Sequence, residues 1–216
     1  EIFKGKHIDF IEDTVKHIDV EEMAIHLGET KINFDYLVLA LGGETNFYDI
    51  PGIEENALTL KSFNEAIKIR NSIADKAEKA DNLNIIICGG GSTGVELAGE
   101  IKEWLPELDE ECKSNCKFNL KILQGGPTIL PGFSEKIINK AMKRLDDLGI
   151  KVLINSVVAK VESQKIILEN GETHDYDILI WAGGIQAIKI IEKAPLSESD
   201  GRIAISPEMM RLSDSP

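Results

Sequence analysis

The chain has 216 residues, 43% of them hydrophobic, and 24 basic against 37 acidic side chains, for a formal net charge of −13. That is enough apolar matter for one large domain or two small ones, and no apolar run approaches the roughly 18 residues a bilayer crossing needs. The acidity argues against a nucleic-acid binder, because no Lys/Arg cluster offers a face to a phosphate backbone; it mostly confers solubility.

From the N-terminus, residues 8–13, 14–19 and 22–27 alternate apolar and polar side chains, which predicts the strands of an antiparallel ribbon. A turn at Gly28 and Glu29 leads to a short strand over residues 31–33. Residues 36–41 form a nearly continuous apolar run and are expected to be a strand buried on both faces of a parallel sheet. It ends at Gly42 and Gly43, and residues 44–52 read as a linker closed by a Pro51-Gly52 turn. Ser62 is expected to cap a helix over residues 63–79, with Ala66, Ile69, Ile73 and Ala77 on one face. A strand over residues 84–88, a glycine-rich turn and a helix over residues 95–104 follow, then a polar, acidic loop over residues 106–115. Next come a strand (119–124), a turn (125–132), a helix (134–148), three strands (151–154, 157–161 and 165–168) and a buried strand (177–181). This order predicts an α/β fold: a Rossmann-like, doubly wound dinucleotide-binding unit with an inserted antiparallel β-meander.

Cys88, Cys112 and Cys116 are too few and too unevenly placed for a disulfide framework, which points to a reducing, cytoplasmic setting. Cys112 and Cys116 read as ordinary exposed thiols, since they lack C-x-x-C spacing and a nearby His, and no metal site is expected. Position 1 is Glu, and the first residues lack the pattern of a signal peptide. A processed chain, or a piece of a longer one, is expected.

The chemistry concentrates at Gly89, Gly90, Gly91, Ser92, Thr93 and Gly94, which satisfy G-x-G-x-x-G between a predicted strand and a predicted helix. The first glycine permits the sharp turn, the second lets backbone approach a pyrophosphate, and the third lets helix and strand pack closely. Backbone N–H groups and the positive helix end then meet the diphosphate. At the end of the next strand, where an acidic side chain would accept bonds from the adenine ribose, stands the neutral Gln124. Gln can bond a ribose hydroxyl and does not repel a 2′-phosphate, but residues 128–134 contain no Arg or Lys to hold one. NADH is therefore favoured over NADPH. Glu96, two residues past the last glycine, has two readings: a carboxylate favoured by the helix dipole, or a charge near the redox end of the cofactor.

The stretch CGGGSTGVELAGE (residues 88–100) resembles the NADH-binding segment of FAD-dependent pyridine nucleotide oxidoreductases, most of all the type II NADH dehydrogenases. Matching stretches at residues 34–53, 60–71, 125–134, 177–185 and 200–206 follow in the family's order. The resemblance implies that Gly89, Gly91 and Gly94 bind the NADH pyrophosphate and that Glu96 assists hydride transfer. It places Ala182 and Gly183 beside the nicotinamide, and it counts Gly42, in the Ala-x-Gly turn, among the cofactor-contacting positions. Three departures stand out: Gln124 replaces an acidic residue, Leu41 the usual Thr of Ala-Thr-Gly, and WAGG the usual Trp-Thr-Ala-Gly. The implied organisation is a partial FAD-binding domain (1–52), an NAD(H)-binding domain (53–185) and the start of a return into the FAD domain (186–216). The main FAD-binding segments would then precede Glu1 and follow Pro216. FAD would belong to the parent, with a quinone-type acceptor and peripheral association with the cytoplasmic membrane face; unpaired strand edges would make a homodimer plausible. Related oxidases, ferredoxin reductases and disulfide reductases, or a non-catalytic NAD-sensing module, are the alternatives.

Overall fold

The computed structural model describes residues 5–112, 116–188, 190, 198–199, 202–203 and 205. In chain order these form β1 (His17–Asp19), β2 (Ala24–Leu27), β3 (Thr30–Asn33), β4 (Glu44–Thr45), α1 (Ile53–Asn56), β5 (Leu58–Thr59), α2 (Phe63–Ala77), β6 (Asn82–Cys88), α3 (Ser92–Cys112) and β7 (Lys117–Leu123). They continue with α4 (Glu135–Asp147), β8 (Lys151–Leu153), β9 (Val158–Glu162), β10 (Lys165–Leu168), β11 (Thr173–Asp175), β12 (Ile178–Trp181), β13 (Ile185–Gln186), β14 (Glu198–Ser199) and β15 (Arg202–Ile203). Two compact units result: Thr45–Gly184 is one, and Glu1–Glu44 with Ile185–Pro216 is the other.

The contiguous unit is built on a five-stranded parallel sheet in the order β5-β12-β6-β7-β8. Successive side chains of a strand point to opposite faces, and here both faces are covered. Ile85 and Ile87 of β6, with Leu120 and Ile122 of β7, pack against Ile69 and Ile73 of α2, Ala98, Ile101 and Leu105 of α3, and Leu145 of α4. Ile86 and Cys88 face the other way, with Leu123, Leu179 and Trp181, onto Val158, Val161, Ile166, Leu168 and Tyr176 of the antiparallel meander β9-β10-β11. That is why the Ile85–Cys88 run is apolar without alternation; each fully buried Ile or Leu contributes about 1.5–3 kcal/mol. The layering fits the expected Rossmann-like fold with its inserted meander: α2, α3 and α4 cover one face of the parallel sheet, and the meander covers the other.

One local expectation holds and two give way, each for a physical reason. Ser62 caps α2: its hydroxyl accepts the Glu65 amide while the Glu65 carboxylate accepts the Ser62 amide at 2.8 Å. Residues 106–112, expected as loop, continue α3 through Pro106. A helix-interior proline costs about 3 kcal/mol, but Pro106 is exposed while Leu105 and Leu108 on either side are buried, so packing outweighs the lost bond. Residues 113–115 lie outside the described residues. Cys116, expected as an exposed thiol, is buried in the core beneath β7, since it begins the strand's inward-facing series; the Cys112 side chain is not among those described.

The discontinuous unit carries the antiparallel sheet β1-β2-β3, with Ile18 opposite Ile25 and His26 opposite Lys31. The ribbon is shorter than the sequence suggests: residues 8–13 form no strand, and Ile8 and Ile11 are exposed. Residues 36–41 correct a second expectation, because they form no strand. Tyr36 is 90% and Val38 87% exposed, while Leu37 and Leu39 pack half-buried against Ile18. The run has no pairing neighbour among the described residues, so one face stays open to solvent. The short hairpin β14-β15 also belongs to this unit.

Candidate functional site

In the contiguous unit β6, β7 and β12 end side by side, the position where open parallel sheets receive ligands. The Gly89 amide donates to the Leu123 carbonyl at 2.8 Å, and the Ala182 amide donates to the Cys88 carbonyl at 2.7 Å, so the three strand ends are stitched together. The fingerprint glycines then separate by role. Gly89 has φ +119°, and a Cβ on it would collide with the Ala182 carbonyl; a Cβ on Gly94 would collide with the Gly89 carbonyl. These two permit backbone to stack on backbone. Gly91 is different: a Cβ there would meet no heavy atom within 4 Å. Nothing in the protein's own packing demands a glycine at that position, but a ligand held against the backbone would.

α3 begins at Ser92, so the amides of Gly91, Ser92 and Thr93 belong to the first-turn donors that a helix leaves unused, at its positive end. Ser92 and Thr93 are exposed. Gly90 is buried and bonded on both sides: its amide donates to Gln124 Oε1 at 2.8 Å, and its carbonyl accepts the Leu130 amide at 2.7 Å. The Gln124 side chain therefore braces the glycine turn with its oxygen and retains its NH2 group as a donor. Gln124 is itself anchored, its amide on the Leu153 carbonyl at 2.8 Å and its carbonyl on the Ser156 amide at 2.9 Å.

Beyond β12 the chain turns through Ala182, Gly183 and Gly184. The Trp181 ring folds back into the space a Cβ on Gly183 would need, so only glycine fits there. Trp181 is 7% exposed and its Nε1–H donates to the Asn46 carbonyl at 2.7 Å. Thus Gly89, Gly90, Gly91, Ser92, Thr93, Gly94, Gln124, Ala182 and Gly183 converge on one edge of the sheet. Gly42 (φ +70°) belongs to the other unit, where it lines a cavity of about 420 Å³ with Leu39, Ala40, Leu41, Gly43 and Ile185.

Glu96 lies early in α3 with its side chain exposed, and no described residue bonds it or pairs with it. Burial pushes the Cys88 thiol up to about 12, so it stays protonated at neutral pH. Sequence reasoning passed over two contributors. Leu130, at φ +49°, supplies the amide that closes on Gly90; prolines at 127 and 131 already marked its loop as rigid. Tyr48 and Asp49, at φ 51° and 53°, form a turn against Gly183 and Gly184 inside what read as a linker. No residue type in that stretch announces it.

The family model of the pyridine nucleotide-disulphide oxidoreductases matches residues 2–214. A probable mitochondrial NADH-ubiquinone oxidoreductase of Schizosaccharomyces pombe is 30% identical over 226 residues, covering 88% of this chain and 40% of that protein. A type II NADH:quinone oxidoreductase of Staphylococcus aureus is 27% identical over 220 residues, covering 96% of this chain and 55% of that protein. The chain thus spans about half the length of the curated relatives it matches. Among solved structures, NDH2 from Plasmodium falciparum in complex with NADH superimposes with a TM-score of 0.70 at 28% identity, over 81% of this chain and 40% of that one.

Proposed function

The chain belongs to the pyridine nucleotide-disulphide oxidoreductase family, and from that premise we propose that it is the NADH-binding portion of a flavin-dependent NADH dehydrogenase. In this reading residues 53–185 hold the dinucleotide, and residues 1–52 and 186–216 are parts of an FAD-binding domain. The observation that carries the proposal is the open space in front of Gly91, facing unused first-turn amides of α3. The dinucleotide fits this cradle because its pyrophosphate is an anion that must approach backbone closely. When bound, the nicotinamide supplies a hydride, which in the whole protein would reduce FAD, whose electrons go on to a quinone-type acceptor.

The chain's own residues bind and orient. Gly91, Ser92 and Thr93 would offer backbone donors to the diphosphate, while Gln124, which braces Gly90, would offer its NH2 group to the ribose. Ala182 and Gly183 would form a wall beside the nicotinamide, and Glu96 would place a charge near the reacting ring. Gly42 would serve the flavin side. No helix among the described residues is long and apolar enough to cross a membrane, and the reading adopted is peripheral association of the whole protein with the cytoplasmic membrane face.

Titration of this chain with NADH, followed by nicotinamide fluorescence, tests the proposal. NADH is expected to bind, NADPH more weakly, and Gly91→Ala to weaken NADH at least tenfold while moving the thermal midpoint by no more than about 2 °C. Absence of NADH binding by the unsubstituted chain overturns the reading, and a tighter NADPH complex reverses the nucleotide preference. In the whole protein Glu96→Gln is expected to lower kcat at least tenfold; unchanged NADH oxidation would remove Glu96 from the mechanism.

A further inference from the structure

The turn of residues 46–49 is tied to the end of β12 at several points. Tyr48 and Asp49 both occupy the left-handed region, which non-glycine residues leave unless their surroundings hold them. Trp181 holds the Asn46 carbonyl at 2.7 Å, the Asn46 amide donates to the Gly184 carbonyl at 3.1 Å, and Asn46 Oδ1 accepts the Tyr48 amide at 2.8 Å. The Tyr48 ring is thereby set edge-on to Trp181, with centroids 6.4 Å apart, and its hydroxyl donates to the Gly183 carbonyl at 3.3 Å. Yet Tyr48 is 58% exposed. Burial therefore does not explain why an aromatic side chain is held on a strained turn at this edge.

We propose that Tyr48 is a positioning residue for the nicotinamide end of the dinucleotide, acting through the Gly183 carbonyl. The inference rests on the reading that Ala182 and Gly183 border the nicotinamide. Gly183 and Gly184 have no side chains to anchor them, so the direction of the intervening peptide is set from outside, by the bonds that reach it from Asn46 and Tyr48. A carbonyl oxygen accepts two hydrogen bonds. The Tyr48 hydroxyl takes one and fixes the plane, leaving the other for a donor such as a carboxamide NH2. The pyrophosphate end is held separately, by the glycine turn after β6.

The experiment compares two ligands on this chain. NADH carries the nicotinamide, whereas ADP-ribose keeps the adenosine diphosphate and lacks it. Tyr48→Phe is expected to weaken NADH about threefold to tenfold, the effect of one neutral hydrogen bond, and Tyr48→Leu more, with ADP-ribose affinity and thermal midpoint held. Equal weakening of both ligands would mean that the turn merely supports the fold and would overturn the proposal, as would unchanged NADH affinity. Should Tyr48→Leu not fold, Tyr48→Phe, which keeps the ring packing, decides alone. If the unsubstituted chain binds neither ligand, the dinucleotide reading itself fails. If it binds both and Tyr48→Phe does not separate them, only the positioning role does.

Discussion

Two stretches of this chain look alike on paper: Ile85, Ile86, Ile87 and Cys88 run into three glycines, and residues 36–41 run into two. In the folded molecule they part company. The first is the central strand of a parallel sheet, paired along β7 on one side and β12 on the other, with Ile85, Ile86 and Ile87 fully buried. The second has no ladder partner among the described residues and leaves Tyr36 and Val38 in solvent. An apolar run is thus a demand for neighbours, and the demand is met only where the chain supplies them. The β-branched Ile85–Ile87 also suit an extended backbone better than the leucines and alanine at 37 and 39–41.

Amide hydrogen exchange gives the largest contrast: the amides of Ile85, Ile86 and Ile87 should open only with global unfolding, and those of residues 37–40 should exchange several orders of magnitude faster. Comparable protection in both stretches would show that the second run has found partners. Next in size, Ile86→Ala should cost about 2–5 kcal/mol in denaturant unfolding, because it removes atoms from both the sheet and the meander interface.

A smaller effect belongs to the cap that orients α2 under the same sheet. The Thr59 hydroxyl first, and the Lys61 and Ser62 amides after it, hold the Glu65 carboxyl below the ordinary carboxylate range against a modest opposing effect of burial. Its contribution is therefore present above about pH 4.5 and lost as pH falls through the folded-state value. Glu65→Gln should lower stability by about 1 kcal/mol at pH 7, and the gap to the parent chain should close on acidification. A gap that is constant with pH would deny the carboxylate its role. Smallest of all, Val38→Ala should change stability by no more than about 0.5 kcal/mol.

What was legible in the sequence follows the same division. The parallel sheet, its helices, the Ser62 cap and the glycine edge could be read because each is announced locally, by periodicity, by a capping pair or by glycines whose spacing is set by close backbone approach. The continuation of α3 past Pro106 was not legible, since it depends on Leu105 and Leu108 finding the core. Cys116 read as exposed because its neighbours are polar, whereas the strand it precedes draws it inward. At the glycine edge, the sequence marks Gln124 by its position at a strand end, but its bond to Gly90 depends on a side-chain direction that no spacing reveals. The turn at Tyr48 is a tertiary feature throughout, held by Trp181 from more than a hundred residues away in sequence.

The division of the chain at Glu44/Thr45 and Gly184/Ile185 also bears on the order of folding. The whole glycine-turn edge of the sheet lies in one continuous segment of about 140 residues, so it can close as soon as that segment has left the ribosome. The other unit must wait for the chain after Ile185, and joining its two parts carries the loop-closure entropy of that whole excursion unless the excursion has already collapsed. Synthesis should therefore yield a folded sheet unit before residues 1–44 are themselves packed. On the proposed reading, NADH present during translation would protect residues 45–184 before residues 1–44.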